Sequence, residues 1–260
     1  MNDNCNNFKF CILAAGRGTR NDSIMGLHKA LLPIENKAAI SKILEKVNKD
    51  IEIVIAVGYK AEQVKDYVNT VHSNRNVTFV EVDNYSLEGS GPGYSLLCCK
   101  EFLNCPFVFT SVDTILGEDD YVHKFDYNWV GAAKIDHSQQ NYCLIESSDN
   151  KLNKFYYGNG STAFIGIAGI YEYNNFWNSL EKSKIIKGEH QVISGFENLS
   201  DVKLKYFNWY DTGNTLSYEM TRKIFHNEVV ANKNDEAIFI DNNKVVKYFN
   251  SQDKNIKRVK

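Results

Sequence analysis

The chain has 260 residues, 43% of them hydrophobic and 24% charged, with a formal net charge of -2. That length is ample for a sizeable core, whether in one α/β domain or two smaller ones, and the near-neutral balance leaves no basic footprint for nucleic acid or a membrane surface. No apolar run approaches the roughly 20 residues of a membrane-spanning helix, and the opening MNDNCNN lacks the charged start and apolar centre of a signal peptide, so a cytoplasmic location is expected.

Residues 8–13 form a short apolar run broken only by Lys9, the pattern of a buried strand. It stops at Ala14 and Ala15, and Gly16 and Gly18 then allow a tight turn and close approach of a ligand to the main chain. Arg17, Arg20 and Lys29 lie within or just beyond this loop. Fixed N–H donors joined by mobile cations suit a polyphosphate, although a plain turn with surface charges uses the same residues. The loop matches neither the dinucleotide fingerprint nor the ATPase loop ending in Gly-Lys-Ser/Thr.

Residues 38–47 place Ile40, Ile43, Leu44 and Val47 on one helical face, and residues 51–57 read as a strand closed by Gly58-Tyr59. A second amphipathic helix is expected at 61–71, with Val64, Val68 and Val71 inward, and a strand at 77–82. Such a βαβαβ run makes a parallel sheet with right-handed crossovers, and ligands bind at the carboxyl ends of its strands. The glycine-rich segment 84–94, NYSLEGSGPGY, precedes an apolar stretch and reads either as a functional loop or as an ordinary one. Residues 107–112 form the next strand, and Asp113 stands at its end. A carboxylate there, beside a phosphate loop, is placed to hold a hard divalent cation; capping the following turn is its alternative role.

Short strands are expected at 130–135, 142–145, 154–157 and 163–170, with Asp149-Asn150 as a turn signal, so that this region forms antiparallel hairpins and a lid. Lys134 lies on the first of these. Tyr171, Phe176 and Trp177 follow the last and read as core aromatics on a strand-then-helix unit. The segment GEHQ at 188–191 precedes a helix expected at 192–199, with Glu189 either facing a ligand or capping that helix. A strand at 203–207 leads into NWYDTGN at 208–214, where Asp211 and Gly213 also suit an Asx-turn. A helix at 216–225 closes a domain of residues 1–226. Residues 227–260 read as an appended hairpin, 237–240 with 244–249 around Asn242-Asn243, or as an oligomer contact, ending in a basic tail. The six cysteines, at positions 5, 11, 98, 99, 105 and 143, show no Cys-x-x-Cys spacing and read as reduced, mostly buried thiols.

LAAGRGTR followed by HKALLPI resembles the signature of nucleotidyltransferases that join a nucleoside triphosphate to a phosphorylated sugar or alcohol and release pyrophosphate. Many sugar-phosphate relatives have proline before the lysine; here His28 stands there, and HK-LL is more similar to the phosphocholine cytidylyltransferase branch. With gaps, the resemblance runs from residue 8 to residue 225. It implies a Rossmann-like three-layer α/β sandwich with a mixed, mainly parallel sheet and a small antiparallel acceptor-side lid.

The same resemblance implies Mg2+ as cofactor, a nucleoside triphosphate (CTP favoured) and a small phosphorylated acceptor, in capsule or surface-polysaccharide synthesis, with a homo-oligomer among the assemblies it allows. It assigns catalysis to Lys29 and Arg17, and nucleotide binding to Leu13, Ala14, Ala15, Gly16, Gly18 and Thr19 and to a wall at Glu88, Gly89, Ser90 and Gly91. Asp113 and Asp211 match the metal aspartates, the second within W-x-D-x-G, although Val112 stands where the family often has glycine. Lys134 and Glu189 become acceptor contacts, and phosphoglutamine, phosphocholine and a sugar 1-phosphate are the acceptor candidates. Tyr142, Tyr156, Tyr157 and Tyr171 suit an aromatic cage or an ordinary core and rim. Two rivals remain: a glycosyltransferase, which would carry Asp-x-Asp where Ser111-Val112-Asp113 stands, and a silent nucleotide-binding subunit, which would lose the lysine or an aspartate.

Overall fold

The computed structural model describes residues 8–18, 26–136, 142–186, 188–225, 236–249 and 258–259. Its strands are β1 (Lys9–Ala14), β2 (Pro33–Ile34), β3 (Lys37–Ala38), β4 (Ile53–Val57), β5 (Val77–Glu81), β6 (Phe107–Ser111), β7 (Thr114–Leu116), β8 (Trp129–Lys134), β9 (Leu144–Ser148), β10 (Lys151–Tyr156), β11 (Thr162–Ile170), β12 (Lys203–Tyr206), β13 (Trp209–Asp211), β14 (Glu236–Asp241), β15 (Lys244–Phe249) and β16 (Arg258–Val259). The helices are α1 (Ala39–Leu44), α2 (Ala61–Val71), α3 (Pro92–Cys98), α4 (Tyr173–Lys182) and α5 (Thr215–Ile224).

Nine strands form one sheet in the order β5-β4-β1-β6-β11-β8-β12-β10-β9. The first four are mutually parallel, as the βαβαβ pattern requires. β11 then runs antiparallel to both β6 and β8, β12 is parallel to β8, and β10 and β9 alternate in direction. Alternate side chains leave a strand on opposite faces, and both faces are covered. Phe10, Ile12, Ile53 and Ile55 meet Ile40 and Ile43 of α1, Val64 and Tyr67 of α2, and Tyr218 of α5. On the other face Cys11, Leu13, Val54 and Phe109 meet Leu96 of α3 and Phe176 and Trp177 of α4, with Trp177 stacked on Phe107 at 5.0 Å. The result is the expected three-layer α/β sandwich with a mixed sheet.

Three local expectations are corrected. The lid was expected to take in residues 130–170, but β8 and β11 are interior strands of the main sheet; the run TAFIGIAGI is buried at every position except Gly166, which a two-sided core demands. The β9–β10 hairpin, turning at Asp149 and Asn150 (φ 50 and 59), sits at the end of the same sheet. The helix expected at 192–199 is a 3-10 turn, Val192–Phe196, because Gly195 disfavours a helix and lies so close to Phe176 that a Cβ would stand 2.3 Å from its ring. Tyr171 is 45% exposed rather than in the core, since it sits in the bend between β11 and α4. Among the described cysteines all are unpaired, Cys11 and Cys99 buried and Cys98, Cys105 and Cys143 half-buried. No helix among the described residues is long and apolar enough to cross a membrane.

The hairpin β14–β15 turns at Asn242 and Asn243 (φ 47 and 59) and packs against α2. Phe239 meets Tyr67 edge-on at 5.3 Å, the Ile240 N–H donates to Asn36 O at 2.7 Å, and Asn242 Nδ2 donates to Val71 O at 3.1 Å. Beneath it Ser41 of α1, His72 at the end of α2 and Asp241 of β14 form a buried polar knot: His72 Nε2 is 2.7 Å from Ser41 Oγ and 3.7 Å from Asp241 Oδ2. Burial pushes His72 down to about 4 from its ordinary 6.5, against the pull of Asp241. Between those pH values the unfolded chain binds a proton that the folded chain refuses, so this contribution is complete above about pH 6.5 and is lost as pH falls toward 4. Melting temperatures followed from pH 7.5 to 4.5 are expected to fall more steeply for the wild type than for His72→Gln; equal slopes would contradict the assignment.

Candidate active site

The carboxyl end of β1 is where the sheet opens. Leu13, Ala14 and Ala15 are buried. Ala15 O accepts the Tyr59 N–H at 2.9 Å, and a Cβ on Gly58 would stand 2.8 Å from the same oxygen. The end of β4 therefore crosses the glycine loop closely enough to require glycine at 58. Gly16 faces open space, and Gly18 takes φ 66, which favours glycine. Arg17 lies over the Tyr59 ring at 5.6 Å and the Lys60 ammonium at 5.2 Å, so Arg17, Lys29 and Lys60 line one recess with Gly18. Thr19 and Arg20 lie outside the described residues. Lys60 was not foreseen; its place just after the end of β4 was the available signal, while its left-handed φ of 49 was not readable.

Lys29 enters from a 3-10 turn, Lys29–Leu31, capped by His28, whose Nδ1 accepts the Ala30 N–H at 3.1 Å. Its Nζ reaches Asp113 Oδ2 at 3.1 Å, and Ser111 Oγ donates to Asp113 Oδ1 at 2.5 Å. Burial alone would raise the Asp113 carboxyl; the Lys29 ammonium and the Ser111 hydroxyl overcome it and hold the group below its ordinary value. β1 and β6 set this meeting in register, with Leu13 opposite Ser111.

A short ladder brings in the second aspartate. β7 begins directly after Asp113 and pairs antiparallel with β13, Thr114 opposite Asp211, while the Thr212 N–H donates to Asp113 O at 3.1 Å. Asp211 accepts the Gly213 N–H at 2.8 Å and the Tyr142 hydroxyl at 2.9 Å. A Cβ on Gly213 would lie 3.0 Å from Asp211 Oδ1 and 3.4 Å from Asp113 Oδ2, so the two carboxylates border one point. Among the described residues no three His, Cys, Asp or Glu side chains cluster. Two carboxylates suit a cation that takes its other ligands from phosphate and water, as Mg2+ does.

The loop with Glu88, Gly89, Ser90 and Gly91 follows β5 and leads into α3, with Gly89 and Gly91 at φ 83 and 116 and the Leu87 N–H donating to Asn84 Oδ1 at 3.1 Å. The segment around Glu189 is strapped to it. Ser90 and Glu189 form a parallel bridge, the His190 N–H donates to Ser90 O at 2.7 Å, and the Gly93 N–H donates to His190 O at 2.8 Å. Glu189 thus stands beside the expected nucleotide wall and is not the cap of the 3-10 turn at 192–196, which begins after Gln191.

Lys134 lies elsewhere, in a cavity of about 620 Å³ that Asp211 also lines, together with Asp136, Tyr142, Tyr206 and Trp209. Of the four tyrosines considered for a cage, only Tyr142 borders this cavity; Tyr206, Phe207, Trp209 and Tyr210 supply the other rings. With the ammonium gone, burial dominates at Asp113. A carboxyl 13C titration of Lys29→Met is expected to show its pKa rising above the wild-type value, and an unchanged pKa would contradict the ion pair.

Residues 10–136 match the family described as MobA-like NTP transferase domain. The bifunctional protein GlmU of Methanococcus vannielii is 31% identical over 176 residues, covering 64% of this chain and 40% of that protein. GlmU of Methanococcus maripaludis is 27% identical over 253 residues, covering 90% of this chain and 59% of its own length. The chain therefore spans roughly half the length of the curated relatives it matches. CTP:phosphocholine cytidylyltransferase from Streptococcus pneumoniae shares the fold with TM-score 0.71 and 20% identity over 85% of this chain and 100% of that one. UDP-glucose pyrophosphorylase complexed with UDP-glucose does so with TM-score 0.67 and 18% identity over 84% and 98%. Residues 10–136 are thus similar to the MobA-like NTP transferase domain, and the chain shares its fold with UDP-glucose pyrophosphorylase and with CTP:phosphocholine cytidylyltransferase.

Proposed function

We propose that the chain is a cytoplasmic, Mg2+-dependent nucleotidyltransferase that transfers CMP from CTP to a small phosphorylated acceptor and releases pyrophosphate, serving capsule or surface-polysaccharide synthesis. The observation that carries this is the convergence at the mouths of β1 and β6: a glycine loop, three cations and two carboxylates that border one point. The matched family and the shared fold support the reaction class.

In this reading an oxygen of the acceptor phosphate attacks the α-phosphorus, a new P–O bond forms, and the bond to the β-phosphate bridging oxygen breaks. Anion approaches anion, so the work is charge neutralisation and alignment. Arg17 and the main-chain amides from Gly16 onward receive the β- and γ-phosphates, Lys60 adds a third cation there, and Lys29 follows the α-phosphate. When bound, Mg2+ held by Asp113 and Asp211 spreads the charge on the phosphate oxygens. A phosphate nucleophile is already ionised near neutral pH, so no general base is assigned and His190 has no role in the chemistry.

The cavity beside Asp211 is proposed as the acceptor site. Lys134, the carboxylates of Asp120 and Asp136, and the rings of Tyr142, Tyr206 and Trp209 offer one cation, two anions besides Asp211, and aromatic faces, which suits an acceptor with a cationic group beside its phosphate, such as phosphoglutamine or phosphocholine. A sugar 1-phosphate with UTP is the second reading, favoured by the fold shared with the UDP-glucose enzyme.

Pyrophosphate release, measured with Mg2+ while crossing CTP, UTP, GTP, ATP and dTTP against phosphoglutamine, phosphocholine and sugar 1-phosphates, is expected to single out CTP with a zwitterionic acceptor. Lys29→Ala is expected to lower turnover by about 100-fold or more, the usual loss with one preorganised electrostatic donor, and Asp113→Asn to abolish Mg2+-dependent turnover with the fold intact. Silence across the grid from folded, nucleotide-binding protein would favour a binding subunit instead.

A further inference from the structure

His28 is 1% exposed and lies between the glycine loop and the turn that presents Lys29. Three of its hydrogen-bonding positions can be accounted for. Its main-chain N–H donates to Gln63 Oε1 of α2 at 3.0 Å, its main-chain O accepts the Leu31 N–H at 2.8 Å, and its Nδ1 accepts the Ala30 N–H at 3.1 Å. An imidazole nitrogen that accepts an N–H carries no proton of its own, so the neutral ring must be protonated at Nε2. Burial, and after it the Lys29 ammonium, push the ring down to about 3, with the Gly16 main chain opposing and Lys60 adding to the fall; the ring is neutral throughout the working range. Nε2 is sealed from solvent and has no hydrogen-bond partner. A buried N–H left alone is costly, and the Gly16 main chain is the neighbouring group that favours the protonated ring.

Resting on the nucleotidyltransferase reading, we propose that His28 is a positioning residue for the phosphate loop, its Nε2–H drawing the Gly16 carbonyl inward so that the N–H of Arg17 faces the nucleotide's phosphates. The second half follows from peptide geometry: in a trans peptide the C=O of one residue and the N–H of the next point in opposite directions, and the described chain has no cis bonds. One neutral ring thereby serves two catalytic elements at once, Nδ1 fixing the turn that carries Lys29 and Nε2–H fixing the loop that carries Arg17. Proline at this position can do neither, having no side-chain donor or acceptor.

The two ring nitrogens can be tested apart, because an asparagine amide mimics Nδ1 and a glutamine amide mimics Nε2. His28→Asn keeps the cap on Ala30 and loses the donor to the loop; His28→Gln keeps the donor and loses the cap. Binding of inorganic tripolyphosphate and of CTP by calorimetry is expected to weaken about tenfold in His28→Asn and to stay within threefold of wild type in His28→Gln, tenfold being the worth of one hydrogen bond of about 1.4 kcal/mol. The reverse order would show a capping role only and overturn the proposal. As a readout independent of variant folding, long-range 15N–1H correlations on the wild-type chain are expected to show His28 neutral and protonated at Nε2; protonation at Nδ1, or a charged ring at pH 7, would overturn it. Failure of the wild-type chain to bind either polyphosphate would overturn the nucleotide reading itself, and this proposal with it.

Discussion

A half-buried ion pair is the point on which the site depends. Lys29 and Asp113 meet at 3.1 Å with side chains only 16% and 20% exposed. Removing two charges from water to that degree is costly, and a buried pair is weak grounds for stability on its own. The fold nevertheless assembles it from separate elements: the 3-10 turn that presents Lys29, β6 ending one residue before Val112, and Ser111 closing on the carboxylate. Such concentrations of partly dehydrated charge mark functional sites more often than structural ones. In the proposed reaction the ammonium would take a phosphate and the carboxylate a metal ion, giving each a partner of its own.

The parallel half of the sheet supplies the loop, Lys29, Lys60 and the first aspartate, and the chain after β6 supplies Asp211, Tyr142 and the segment at Glu189. β7 and β13 form a ladder of three residues, yet it sets where Asp211 falls relative to Asp113, and the Tyr142 hydroxyl holds the aspartate at the edge of the cavity proposed for the acceptor. The strap from Gly188 to His190 does the corresponding work at the loop proposed for the nucleotide, binding it at Ser90 through main-chain hydrogen bonds. Main-chain bonds of this kind hold a loop in shape without constraining which side chains it presents.

What could be read from the residues and what could not divide along the same line. β1 and β4 are apolar runs, broken only by Lys9 and closed by Gly16 and Gly58, β5 and β6 are mostly apolar, and Asp113 falls just beyond β6, so pattern and position sufficed. Tyr206 and Trp209 were missed as cavity walls because they reach Lys134 through tertiary packing, with more than 70 residues of chain between; no local pattern announces that meeting. Glu189 was open to two readings, a ligand contact or a cap, and its bridge to Ser90 is a non-local pairing. The run at 163–170 was apolar enough to announce an interior strand, but the nearby turn residues suggested a hairpin instead. His28 was noticed as a departure from a family pattern, and only its buried surroundings give that departure a physical meaning.

The glycine loop, Lys29 and both aspartates are proposed to make one site for a metal-bound nucleotide. Crystals grown with Mn2+ and a non-hydrolysable CTP analogue test it most directly, because Mn2+ replaces Mg2+ and scatters anomalously. An anomalous peak in contact with both Asp113 and Asp211, with the triphosphate lying along Gly16 to Gly18 and Lys29 against the α-phosphate, is the predicted result. A metal peak held by neither aspartate, or a triphosphate bound away from the loop, would contradict it.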